Sequence, residues 1–397
     1  LAYQTAWLKT HHAPEFMAAT MSSDMDKTDK VVTYIEDCRD IGIELKPPSI
    51  NEGEFRFSVN EQGAIVYGLG AIKGLGEGVI ELIITTRVKD GKFKDIYDFC
   101  ARVDTNKLSK RAIEALIKAG AFDEIGPSES INYCRAWLST ALDDASKLAD
   151  QVFKNEESGI EDLFGNSLVE TSEEIKKHIP LEIEPLMTKE RLEQEKSILG
   201  LYLTGHPLDE YKLELEKMRV NKLADIKNNR GAIRAAGLIT DIRVMKNKKG
   251  QSFAFITLDD KYSRAEVTLW AETYAKYREY LQKDAVVLVK GEASQDRFTG
   301  RLKIIIDTVQ SLYEVRCERL ETLEVVIADS ETNWVDLLTN RVSDYRDGNC
   351  SIKIEYHKDN SYANLLLDDS WKIDPRDELI DQLRSDFGPN NVNFEFR

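Results

Sequence analysis

Five runs of residues alternate apolar and polar side chains with a period of two: Ala232 to Met245, Phe253 to Leu258, Ala265 to Trp270, Ala285 to Glu292 and Leu302 to Val309. A segment with helical spacing, Thr273 to Leu281, separates the third from the fourth. Period two fixes side chains on alternate faces of a strand, and five strands with a helix after the third is the order of an OB-fold barrel. No other stretch restricts the fold as tightly. Beyond it the pattern reads β-α-β-β-α-β: strands 323–327, 351–356, 363–371 and 392–396, helices 334–344 and 376–387. A split βαβ, ferredoxin-like sandwich is the simplest packing of that order. Ahead of the barrel the period is helical, over Tyr3 to Thr10, Pro14 to Met25 and Lys27 to Arg39, until Pro47-Pro48 stops it. The expected fold class is therefore multidomain α+β. A helical region leads into an OB-fold barrel and then a small α/β sandwich. At 397 residues the chain has room for several cores. It opens at Leu1 inside a helical pattern with no cap, which reads as a piece of something longer.

Charge separates the segments. The net charge of -16 argues against a nucleic-acid partner only if it is spread evenly, and it is not. Residues 230–313 hold 15 Lys and Arg against 10 Asp and Glu, or +5, which leaves -21 on the rest. Residues 141–195 hold 6 basic against 15 acidic residues, or -9, with no strong apolar period, and read as a linker. No apolar run reaches the roughly 18 residues of a membrane helix. Five scattered cysteines without a C-x-x-C fit reduced thiols and a cytoplasmic protein. The five histidines do not group at ligand spacing, and no nucleophile or phosphate-loop motif appears, so neither metal, cofactor nor active site is expected in this chain.

Three constellations suit nucleic acid. The turn Gly74-Leu75-Gly76 precedes the apolar run Val79 to Ile84, and a second helix, opened by Lys107-Leu108-Ser109-Lys110-Arg111, ends at Gly120. Such tandem helical units suit helix-hairpin-helix binding, where glycines let the chain approach a DNA phosphate, with Lys73, Lys107, Lys110 and Arg111 supplying charge. Structural glycine turns, or a dinucleotide loop over Gly68 to Gly78, are the alternatives at this stage. In the barrel, Arg243, Lys246, Lys248 and Lys249 lie at the first hairpin, and Arg297, Phe298, Arg301 and Lys303 between the last two strands, in the loops with which OB-folds grip single strands. Phe253, Phe255 and Trp270 could stack bases, or the two phenylalanines could close the core, since both parities of that strand are apolar. Within the acidic segment, Ile160-Glu161-Asp162-Leu163-Phe164 is an isolated apolar pair suited to a partner's pocket.

Taken together, the residues resemble the C-terminal half of the alpha subunits of bacterial DNA polymerase III. The landmarks are Tyr3-Gln4-Thr5 with Pro14 to Ala19, Tyr67 to Gly74, Leu116 to Asp123 and Leu199 to Pro207, in family order over essentially the whole chain. The resemblance implies the end of a fingers domain at 1–63 and a tandem helix-hairpin-helix at 64–140 that holds primed duplex DNA. It implies an acidic linker and helical connector at 141–229, and an OB domain at 230–313 near the single-stranded template. Residues 318–397 would bind the tau subunit of the clamp loader, with Trp371, Ile380, Leu383, Phe394 and Phe396 as contacts. The linker peptide falls at the family's sliding-clamp motif, matching at Asp162, Leu163 and Phe164, with Ile160 in place of its glutamine. The catalytic aspartates and their magnesium belong to a palm upstream of Leu1, so this chain alone is not expected to polymerise. The rival readings are a stand-alone OB-containing RNA- or tRNA-binding protein, a dinucleotide-dependent enzyme, and an error-prone paralogue of the same subunit.

Overall fold

Helical spacing in the first forty residues gives three helices, α1 (Ala2–His11), α2 (Ala13–Ser23) and α3 (Thr28–Asp40), in a computed structural model. It describes residues 2–103, 108–127, 130–157, 183–226, 231–295, 302–328, 333–358 and 361–397. Helix α1 buries nothing, α2 buries Met17, Ala18 and Met21, and α3 buries Val31, Ile35 and Cys38. Short strands β1 (Leu45–Lys46), β2 (Ser58–Val59) and β3 (Ile65–Val66) follow, with β1 parallel and β2 antiparallel to β3. A glycine-rich turn then feeds α4 (Glu77–Asp90), followed by α5 (Ile96–Arg102), α6 (Lys110–Ala119), α7 (Ile131–Glu157) and α8 (Thr188–Leu199). Ser109 caps α6 by accepting from the Ala112 N–H, and Gly120 ends it in the left-handed region.

Helix α7 runs through residue 157, so residues 141–157, the start of the acidic stretch, are helical. Ala141, Leu142, Ala145 and Ala149 are buried. Alanines four apart put a narrow stripe on one helix face without raising its hydropathy much, which is why the segment reads as linker by composition. One buried ionic cluster ties α7 to α8. Arg135 pairs with Asp123 at 2.8 Å and with Glu195 at 3.0 Å, and Glu195 also accepts from the Thr204 N–H at 2.9 Å and the Thr204 hydroxyl at 2.6 Å. Burial pushes the Asp123 carboxyl up against the pull of Arg135.

The chain divides into two compact units, Leu1–His206 and Pro207–Arg397. The second opens with the short helices α9 (Lys212–Lys217) and α10 (Leu223–Ile226). Strands β4 (Gly231–Lys246), β5 (Ser252–Asp259), β6 (Arg264–Leu269), β7 (Val286–Gln295) and β8 (Leu302–Ser311) form a closed barrel in the order β4-β5-β6-β8-β7, with α11 (Ala271–Tyr277) between β6 and β7. The long β4 pairs β7 with its first half and β5 with its second. Ile233, Ala235, Ala254, Ile256, Leu258, Val267, Val289 and Ile306 fill the interior. At Gly291 a Cβ would lie 2.0 Å from the Ile305 carbonyl oxygen, so only glycine lets β7 and β8 meet where their register shifts.

Helix α12 (Leu312–Arg319), opened by a Ser311/Glu314 capping box, leads into β9 (Leu320–Ala328), α13 (Trp334–Ser343), β10 (Arg346–Lys358), β11 (Ser361–Leu366), α14 (Asp377–Phe387) and β12 (Val392–Phe396). The β-α-β-β-α-β order is as expected, but the packing is not ferredoxin-like. The sheet runs β11-β10-β9-β12, with β9 and β10 parallel neighbours. A split βαβ would insert the third strand between the first two, and all six residues of β11 are exposed, which suits an edge and not a centre. Glu214 on α9 holds the end of this unit together. It is paired with Arg316 at 3.0 Å and Arg384 at 3.4 Å, while Arg316 also engages Asp377 and the Pro375 carbonyl. No helix among the described residues is long and apolar enough to cross a membrane.

Candidate nucleic-acid interface

Ladder register settles which way the barrel aromatics point. On β5, Ala254, Ile256 and Leu258 are buried in the core while Phe253 and Phe255 are half-buried on the opposite parity. Phe253 stands opposite Met245 of β4, and Phe255 stands between Arg243 of β4 and Thr268 of β6. The two phenylalanines are therefore outside the barrel, and Trp270, at the end of β6 and 43% exposed, joins them. The Phe253 ring centroid lies 5.5 Å from Trp270 at 33° and 5.5 Å from Phe255 at 73°. Cations flank the row: the Arg243 guanidinium is 5.9 Å from the Phe255 centroid and the Lys303 ammonium 5.2 Å from that of Trp270. Met245, 52% exposed on the same row, was missed from sequence, because an isolated methionine near a hairpin carries no signal until its register is known.

The adjoining hairpin tip is built by Asn247. Its side-chain oxygen accepts from the N–H groups of Lys249 at 2.9 Å and Gln251 at 3.0 Å, and Gly250 takes φ +77° to close the turn. Lys246, Lys248 and Lys249 are exposed there, and no carboxylate among the described residues pairs with them. Arg243 differs, since it is engaged by Glu266 and lies 3.6 Å from Asp241. Arg297, Phe298 and Arg301 lie outside the described residues.

In the first unit the glycines divide into two kinds. A Cβ on Gly68 or Gly70 would fall within 2.8 Å of the backbone of residues 55–57, so these two serve close packing within the chain. That leaves no cradle of the kind a dinucleotide loop needs. Gly74, at φ +90°, Gly76 and Gly78 have nothing within 4 Å of a built Cβ, which leaves the turn into α4 open to the approach of another backbone. Lys73 and Arg111 are exposed, Lys110 pairs with Asp143, and Lys107 is outside the described residues.

Three of the five residues expected to contact tau are core residues. Ile380, Leu383 and Phe394 are at most 2% exposed and pack with Leu323, Val325 and Ile352. Helical spacing on α14 points the first two at the sheet. Trp371 and Phe396 are half-buried, Trp371 beneath the Arg346 guanidinium at 4.0 Å from its centroid. The clamp peptide, Ile160, Asp162, Leu163 and Phe164, lies outside the described residues. No group of three or more His, Cys, Asp or Glu is placed to hold a metal among the described residues.

Comparison with known proteins places these parts. Protein-family models match at residues 42–131 (helix-hairpin-helix motif), 233–321 (OB-fold nucleic acid binding domain) and 337–388 (DNA polymerase III subunit alpha, C-terminal domain). Along its whole length the chain is 42% identical to the DNA polymerase III subunit alpha of Pseudomonas aeruginosa and 40% identical to that of Escherichia coli. The chain belongs to the DNA polymerase III alpha-subunit family. It spans about a third of the length of these curated relatives, 35% and 34%. Among solved structures, the yeast mitochondrial single-stranded DNA binding protein Rim1 aligns with 21% of this chain and 97% of its own, at 17% identity and a TM-score of 0.19. The hairpin glycines, the barrel and the C-terminal sheet follow one another here in the order of the matched models.

Proposed function

We propose that this chain is a DNA-handling and tethering portion of a replicative DNA polymerase. The barrel takes the single-stranded template, the helix-hairpin-helix region grips the primed duplex, and the acidic peptide at 160–164 and the C-terminal domain hold partner proteins. The observation that carries this reading is the outward row Phe255, Phe253 and Trp270 between Arg243 and Lys303. Stacked rings accept any base, and flanking cations neutralise the backbone, which is what sequence-tolerant single-strand binding needs.

Fluorescence anisotropy of the chain with labelled single-stranded, primed and duplex DNA and an RNA hairpin, over a salt series, tests it. Single-strand binding should weaken with a log-log slope of roughly -0.7 per phosphate contacted. A preference for the RNA hairpin would instead favour an RNA-binding role. Reversing charge at Lys248 and Lys249 to Glu should weaken binding uniformly across sequences and flatten the slope by roughly one unit or more. An unchanged slope would remove the hairpin tip from the contact surface.

The polymerase reaction, with magnesium and palm aspartates, is proposed for the longer subunit, and no nucleotide incorporation is expected from this chain alone. In the clamp tether, Leu163 and Phe164 enter a hydrophobic pocket of the sliding clamp and Asp162 stays solvated. Replacing both by alanine should abolish co-purification with the clamp while leaving DNA binding intact. Joint loss of the two would point to unfolding in place of a lost contact. For tau, Trp371 and Phe396 are the expected contacts that keep accessible surface. A cytoplasmic location accords with this role.

A further inference from the structure

Arg234 stands opposite Lys290 in the β4–β7 ladder, and Lys290 opposite Thr308 in the β7–β8 ladder. The three side chains thus form one row on one face, and it is the outer face, because Ile233, Ala235, Val289 and Val309 beside them point into the barrel. Arg234 uses one edge of its guanidinium: Nη1 donates to the Met218 carbonyl at 3.3 Å. The nitrogens of the other edge, Nε and Nη2, are sealed from solvent with no hydrogen-bond partner, and so is the Thr308 hydroxyl. The charge close enough to act on Arg234 is Arg319, another cation, and burial and Arg319 together push Arg234 below its ordinary range. No carboxylate among the described residues pairs with Arg234 or Lys290. A guanidinium stays charged in a protein, so a sealed one without a counter-charge calls for an anion.

We propose that Arg234, Thr308 and Lys290, with Arg319 beside them, form a binding site for a phosphoryl-type oxyanion on the β4–β7–β8 side of the barrel. The Nε–Nη2 edge is the one that takes two oxygens of a tetrahedral oxyanion in parallel hydrogen bonds. The Thr308 hydroxyl donates to a third, Lys290 balances the remaining charge, and Arg319, whose Nη2 donates to the Arg397 carbonyl oxygen at 2.7 Å, adds its field from beside the site. Lys290, half-exposed between Arg234 and Thr308 on the row, is the member of the site that solvent reaches. The site is separate from the aromatic row on β4–β5–β6 and does not rest on it. Its anion is either free phosphate or a phosphodiester of a bound strand.

The test is thermal unfolding of the whole chain in inorganic phosphate against sodium chloride at matched ionic strength, with no DNA present. Saturating phosphate should raise the melting temperature by roughly 3–6 °C. Arg234→Met should abolish that gain and melt no lower than the parent in chloride, since it removes the sealed charge. Thr308→Val keeps the charge and should lose part of the gain, which serves if the first variant does not fold. Equal melting in phosphate and chloride would overturn the site, while leaving single-strand binding by the aromatic row standing. Oligonucleotide anisotropy then separates the sources: a weaker, flatter salt response in Arg234→Met assigns the anion to the strand, and an unchanged response with the phosphate gain retained in the parent assigns it to free phosphate.

Discussion

Replacing Phe253 and Trp270 together by alanine is expected to weaken single-stranded DNA binding by at least about fivefold, the loss of one stack at the low end of the roughly 1–3 kcal/mol that base–aromatic stacking contributes per base. The rings touch, so the double variant should lose less than the sum of the singles. Stability should hardly change. Both side chains are outside the barrel, and the core parity of β5, Ala254, Ile256 and Leu258, is untouched. Anisotropy with an oligonucleotide, alongside a melting curve, reads both quantities. Wild-type affinity in a variant that melts normally would mean that the row is not the stacking platform.

The largest stability effect is expected at Glu195. Its side chain is fully buried, pairs with Arg135 and accepts from Thr204 through both backbone and hydroxyl. Glu195→Ala leaves Arg135 with Asp123 as its one paired carboxylate and strips three donors, the N–H groups of Leu203 and Thr204 and the Thr204 hydroxyl, of their acceptor. Breaking a buried pair this way costs about 3–5 kcal/mol. In a unit of this size that lowers the melting temperature by roughly 6–20 °C. Glu195→Gln keeps an acceptor for Thr204 and should fall in between. Unchanged melting of the alanine variant would show that the cluster contributes no net stability.

The same residue shows where sequence reading stops. The acidic tally over 141–195 counts Glu195 as one more solvated charge, and only the fold brings Arg135 beside it from sixty residues away. The barrel strands were legible to within one to three residues at each end, the widest miss being the end of β7 at Gln295, because alternating β-branched and polar side chains admit one period. Their facing was not legible on β5, where Phe253 and Phe255 are as apolar as the core parity, and pairing with Arg243 and Thr268 had to decide it. In the C-terminal sheet the order of elements could be read, but the order of strands could not. What distinguishes an edge strand is the exposure of Tyr362, Leu365 and Leu366, which a sequence does not record. Ile380, Leu383 and Phe394 carry the related lesson that an apolar residue on an amphipathic helix or inner strand fills the core first.

The pairing of Arg243 with Glu266 bears on timing. On the proposed reading, an incoming backbone phosphate has to take Arg243 from a carboxylate that already occupies its place, and the carboxylate is there to reclaim it when the phosphate leaves. Both side chains are about half exposed, 60% and 49%, so the exchange alters affinity little, by under about 1 kcal/mol. It does give release a ready path, because the cation never has to stand bare between two anions. On that reading, a strand that has to slide past the barrel is better held by such a handover than by a long-lived bond.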